Sequence, residues 1–92
     1  MIQTWRHKGL KELFLTGDSR RVRPDLKRRS ALVLDALDAA SKPSHLNIPG
    51  FDFHRLRGHR TMRYSIHVNG PWCITFELRD GEALAVDFEQ YH

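Results

Sequence analysis

Residues 62–90, MRYSIHVNGPWCITFELRDGEALAVDFEQ, decide the fold. Met62, Tyr64, Ile66 and Val68 alternate with Arg63, Ser65, His67 and Asn69. Trp72, Ile74, Phe76 and Leu78 alternate with Cys73, Thr75, Glu77 and Arg79, and Leu84, Val86 and Phe88 with Ala85, Asp87 and Glu89. Successive strand side chains point to opposite faces, so three such runs describe an antiparallel meander with one apolar face and one open face. Register follows because directly opposed residues share a face. A two-residue Asp80-Gly81 turn would oppose Leu84 to Glu77, apolar to charged. A three-residue Asp80-Gly81-Glu82 loop with Gly81 left-handed opposes Leu84 to Leu78 and Phe88 to Ile74. The same logic at Asn69-Gly70-Pro71 opposes Val68 to Trp72 and Ile66 to Ile74. The open face then carries the rows His67–Cys73–Glu89 and Ser65–Thr75–Asp87, with Arg63 beside Glu77.

Upstream of the meander the period changes. Leu10, Leu13 and Phe14 sit at helical spacing from His7 to Leu15, with Gly17 as the stop. Pro24 suits a first helical position and Asp25 a first turn, and Leu26, Val33, Leu34, Leu37 and Ala40 line one face of the helix that follows. Residues 2–5 alternate as a short edge strand does, and residues 41–53, with Pro43, Pro49 and Gly50, read as a loop. The expected architecture is α+β: one compact domain over residues 1–92, two N-terminal helices packed on one face of an antiparallel sheet.

At 92 residues the chain is one domain's length. A hydrophobic fraction of 40% with 28% charged residues fits a folded chain rather than a disordered one. No apolar run approaches a membrane span, and Met1-Ile2-Gln3-Thr4-Trp5-Arg6 lacks the apolar core of a signal peptide. The single cysteine, Cys73, forbids an internal disulfide and a four-cysteine zinc site and fits a reducing cytoplasm, the expected compartment. Charge is lopsided: residues 1–63 hold fourteen Lys/Arg and six Asp/Glu, a balance of +8, while residues 64–92 hold one Arg and five acids, a balance of −4. Such a distribution suggests a polyanion such as nucleic acid, or simply a solvated basic surface.

The residues with chemistry narrow this further. The row His67–Cys73–Glu89 superficially resembles a nucleophile, base and orienter, but nothing marks an oxyanion hole or a nucleophile elbow. The histidines (His7, His45, His54, His59, His67, His92) show no HExxH and no close His/Cys pairing, so no metal is expected. Arg55, Arg57, Arg60 and Arg63 interleave with His54 and His59. Guanidinium groups grip phosphate bidentately, and imidazoles serve as acid or base near neutral pH. RNA strand scission needs those parts: a base for the 2′-hydroxyl, an acid for the leaving oxygen, and cations on the phosphorane. RNA cleavage and plain RNA or partner binding both stand at this point.

Met1-Ile2, His7-Lys8-Gly9-Leu10, Leu13-Phe14, His54-Arg55-Leu56-Arg57-Gly58, Ser65-Ile66, Val68-Asn69, Trp72, Ile74, Phe76 and the terminal Tyr91-His92 together resemble the "killer protein" (HigB) branch of the RelE-like bacterial toxins. The likeness covers nearly the whole chain. It implies a metal-independent, cofactor-free endoribonuclease that cleaves messenger RNA in the ribosomal A site. It also implies a HigA-type helix-turn-helix antitoxin, with operator DNA reached only through that antitoxin. By position, His54 and His92 would form the acid/base pair and Tyr91 would assist at the base or phosphate. Arg57, Arg60 and Arg63 would hold RNA or phosphate, and Arg20, Arg21, Arg23, Lys27 and Arg28 would contact the ribosome.

Three positions depart from the family pattern. His67 and Cys73 stand where the family carries arginine, and Gln90 stands where an acid usually precedes Tyr-His. Losing transition-state cations costs roughly 10²–10³ in rate per contact. Two expectations follow: an active nuclease in which Arg63 compensates, or a weakened or inactive homologue that still binds antitoxin.

Overall fold

A computed structural model describes residues 1–58 and 60–91. Helix α1 spans Lys8–Thr16 and α2 spans Pro24–Ala39, followed by a 3-10 turn at Pro43–Leu46. Among the described residues the strands β1 (His54–Leu56), β2 (Arg63–Asn69), β3 (Trp72–Arg79) and β4 (Glu82–Gln90) form one antiparallel sheet in the order β1-β2-β3-β4. The α+β architecture is as expected. The sheet has one strand more, because residues 54–56 pair with β2 instead of looping, and residues 41–53 contain a helical turn that buries Leu46.

Local chemistry explains both helix starts. His7 Nδ1 accepts the Leu10 amide at 3.0 Å, satisfying one of the donors that a helix N-terminus leaves unpaired. Gly17 ends α1 in the left-handed conformation that glycine adopts without penalty, its N–H donating to the Leu13 carbonyl at 2.9 Å. Pro24 opens α2 at the position where a missing N–H costs nothing, with Asp25 in the first turn. Leu10 and Leu13 from α1, and Leu26, Val33, Leu34 and Leu37 from α2, are buried with Ile66, Ile74, Phe76 and Val86 of the sheet. Phe53, Tyr64 and Phe76 stack at 5.2 to 6.3 Å across that layer.

Register is where the chain departs from expectation. From Ile74 outward the rows are as read: Ile74 opposes Phe88, Thr75 opposes Asp87 and Cys73 opposes Glu89. Yet the β3–β4 turn has two residues, Asp80 and Gly81, both at positive φ (52° and 79°), with Arg79 opposite Glu82 and Glu77 opposite Leu84. A bulge makes the two compatible. Ala85, at φ 50°, adds one residue to β4 and moves all that follows by one. Its amide donates to Thr4 Oγ1 at 2.7 Å and its carbonyl accepts from Arg63 at 3.0 Å, so the groups lost from the ladder find side-chain partners. Leu84 therefore lies on the polar face, half-buried, and Ala83 takes the core position. The β2–β3 connection repeats the device: Asn69, not Val68, opposes Trp72, with an irregularity between His67 and Asn69.

The N-terminal segment is less than a full strand. Residues Ile2 and Trp5 make isolated parallel bridges to Ala83 and Val86, flanking the bulge that Thr4 caps.

Candidate functional site

The sheet face turned away from the helices brings together side chains from all four strands. One row runs His54–Ser65–Thr75–Asp87, the next His67–Cys73–Glu89, and a third sets Arg63 against Glu77. The face expected to be open is sealed at its centre: Arg63 is 2% exposed, Ser65 1% and Thr75 0%. Arg63 accounts for part of this. Its guanidinium donates to Thr75 Oγ1 at 3.1 Å, to the Ala85 carbonyl at 3.0 Å and to Glu77 at 3.5 Å, lying across two neighbouring strands. The Ser65 hydroxyl, enclosed beside it, has no hydrogen-bond partner.

His54 opens β1 and is exposed. Asp52 precedes it at φ 46°, a turn that places the Asp52 carbonyl 2.8 Å from His54 Nδ1. A carbonyl only accepts, so Nδ1 carries the proton and the neutral ring offers the lone pair of Nε2. Across the sheet, three strand spacings or about 14 Å away at the backbone, β4 delivers Asp87 and Glu89, and Tyr91 follows directly after its end. The Tyr91 amide donates to the Pro71 carbonyl at 2.7 Å, which ties the end of β4 to the β2–β3 turn. The Tyr91 hydroxyl donates to Glu89 Oε2 at 2.7 Å.

The electrostatics of this edge are lopsided. Burial works to raise the Glu89 pKa, but the Tyr91 hydroxyl, the Asp87 carboxyl, the Arg63 guanidinium and the Thr75 hydroxyl together hold it below the usual carboxylate range. The phenol moves the other way: desolvation first, then the hydrogen bond to Glu89 and its negative charge, push Tyr91 up to about 12, against a smaller pull from Arg63. Tyr91 is thus a protonated phenol throughout the physiological range.

Arg57 and Arg60 are exposed beyond β1, and Arg55 and Arg57 line a cleft of about 410 Å³. Arg63, expected beside them as a phosphate ligand, has its donors turned inward. Arg20, Arg21, Arg23, Lys27 and Arg28 gather at the entry to α2, in the layer that covers the sheet's other face. Two of those five are paired: Arg23 with Asp25 at 2.7 Å, Lys27 with Asp18 at 2.6 Å. Hydrogen bonds from those partners hold both aspartates below their ordinary pKa. His92 lies outside the described residues.

The row His67–Cys73–Glu89 does not assemble a thiol nucleophile. His67 Nε2 donates to the Gly70 carbonyl at 3.0 Å rather than turning to the buried Cys73. Reading the sequence left out Glu89 as a partner of Tyr91. The i, i+2 spacing on one strand face was the available signal.

A family model described as "RelE-like toxin of type II toxin-antitoxin system HigB" matches residues 3–92. The chain is 37% identical over 92 residues to "Endoribonuclease HigB" of Proteus vulgaris, covering 100% of both chains.

Proposed function

The chain belongs to the HigB-like family of RelE-like toxins of type II toxin–antitoxin systems, and from that premise we propose that it is an endoribonuclease that cuts messenger RNA. Membership in such a system gives it an antitoxin partner. The observation that carries the catalytic reading is the exposed His54 ring, its Nδ1 proton held by the Asp52 carbonyl so that Nε2 carries the lone pair, on the polar face that ends in Tyr91.

The scission proceeds without a metal. His54 Nε2 takes the 2′-hydroxyl proton and that oxygen attacks the adjacent phosphorus. The bond to the 5′-oxygen breaks, and an acid protonates the leaving oxygen, leaving a cyclic phosphate. His92 is the acid implied by sequence position. Arg57 and Arg60 hold the charged phosphorane, and Tyr91, its one proton given to Glu89, meets the RNA as an acceptor and through its ring without abstracting a proton. Messenger RNA engaged on the ribosome is the proposed substrate, with Arg20, Arg21, Arg23, Lys27 and Arg28 touching ribosomal RNA. The antitoxin is of the HigA helix-turn-helix type, operator DNA is reached through it, and the action is cytoplasmic. No helix among the described residues is long and apolar enough to cross a membrane.

A weakened toxin is the second reading, and Arg63 favours it, since that guanidinium is 2% exposed and donates inward to Glu77, Thr75 and the Ala85 carbonyl. One experiment separates the two: induction without antitoxin, with mapping of messenger RNA 5′ ends, for the natural protein and His54→Ala. Growth arrest with cuts that fall about 100-fold or more in His54→Ala supports catalysis by this site. Folded protein that neither arrests growth nor cuts overturns the nuclease reading in favour of antitoxin binding alone.

A further inference from the structure

Glu89 is a carboxylate with no task assigned so far. It stands in the Cys73 row and shares its strand face with Asp87, and its Oε2 accepts the Tyr91 hydroxyl at 2.7 Å. Tyr91 is also held through its backbone, by the bond from its amide to the Pro71 carbonyl. A phenol ring has only two side-chain torsions, so anchoring the main chain at one end and the hydroxyl at the other leaves it one orientation. In that orientation the residue is still 36% exposed. The ring is therefore presented, not buried.

We propose that Glu89 is a positioning residue of the nuclease, fixing the Tyr91 phenol in the orientation that meets the RNA. This rests on the endoribonuclease reading above. On its row, Cys73 is buried and His67 gives its Nε2 proton to the Gly70 carbonyl. Arg63, sealed on the same face, contributes to keeping Glu89 ionised. Gln90 stands where the family pattern has an acid before Tyr-His, and Glu89 provides a carboxylate one residue earlier, on the polar face of β4. Its role is to aim a neighbour, and it makes no contact of its own with the reacting atoms.

The test has two independent arms. In a Tyr64→Phe background Tyr91 is the only tyrosine, so its ionisation is read directly from tyrosinate absorbance. Glu89→Gln should bring the midpoint down from about 12 toward the ordinary value of about 10. On messenger RNA bound to purified ribosomes, and on the same RNA free, Glu89→Gln should lower kcat about tenfold with KM little changed. The double variant Glu89→Gln/Tyr91→Phe should be no slower than Tyr91→Phe alone, since one residue acts through the other. Full turnover in Glu89→Gln, additive losses, or an unmoved phenol midpoint each overturns the proposal while leaving a nuclease. A natural protein that cuts neither RNA overturns the nuclease reading and the proposal with it, and a shifted midpoint then reports a structural contact only.

Discussion

Burying a guanidinium costs several kcal/mol unless its charge is paired and hydrogen-bonded, and Arg63 is paired with Glu77 and donates to Thr75 and the Ala85 carbonyl. Removing it leaves the Glu77 carboxylate, 13% exposed, with the contact at 3.4 Å from Arg79, a side chain that is itself largely in solvent. Arg63→Met should therefore destabilise the protein by about 3 kcal/mol in urea unfolding. Loss of toxicity in an Arg63 variant is then to be read together with its unfolding midpoint. The sequence identified Arg63 as a face residue beside Glu77, and that pairing stands. Its inward commitment was not legible, because the Ala85 carbonyl becomes an acceptor only once β4 bulges. His54 was recognisable from its basic surroundings, whereas the Asp52 turn that selects its tautomer exists only in three dimensions.

Among the elements, α1 depends on a titratable cap. His7 Nδ1 must be unprotonated to accept the Leu10 amide, and burial, with a smaller push from Arg21 against a pull from Asp87, lowers its pKa below the ordinary 6.5. A histidine with a depressed folded pKa binds fewer protons folded than unfolded. Its contribution is complete above pH 6.5 and is lost as pH falls from there through the folded value. His7→Asn keeps a side-chain cap without titration, so its stability should decline less than the natural protein's between neutral and mildly acid pH, as denaturant midpoints would report. The boundaries of α1 and α2 were readable from Gly17 and Pro24, whose backbone preferences act locally. Strand β1 was not, since three residues carry too little pattern. The two hairpin turns were misread for a related reason: alternation records the register of the strand body, and a bulge hides the residue by which the turn differs.

For the molecule as a whole, stability rests on one layer in which two helices cover the apolar sheet face. Phe76 is fully buried at its centre and stacks with Phe53 and Tyr64. Phe76→Ala should cost about 4 kcal/mol by calorimetry or denaturant titration. Domains of this size have about 5–15 kcal/mol in total, so the variant should be marginal near growth temperature. The fold class was legible because this layer is what the apolar spacing encodes. Charge was less informative: Arg23 and Lys27 are paired with local acids, and the basic entry to α2 and the polar rows occupy different layers.

The bulge at Ala85 also governs which length changes the gene can tolerate. A two-residue turn plus one extra strand residue places Val86 through Tyr91 where a three-residue turn and a regular strand would place them. Deleting codon 85 alone therefore removes the bulge without a slip: Val86 follows Leu84 in regular alternation, and Glu89 stays opposite Cys73 on the polar face. What is lost is the pair of contacts that the bulge makes with Thr4 and Arg63. Relatives with the same six residues between the positions of Arg79 and Val86 but a three-residue turn are expected to lack the bulge, and those one residue shorter to keep the two-residue turn on a regular strand.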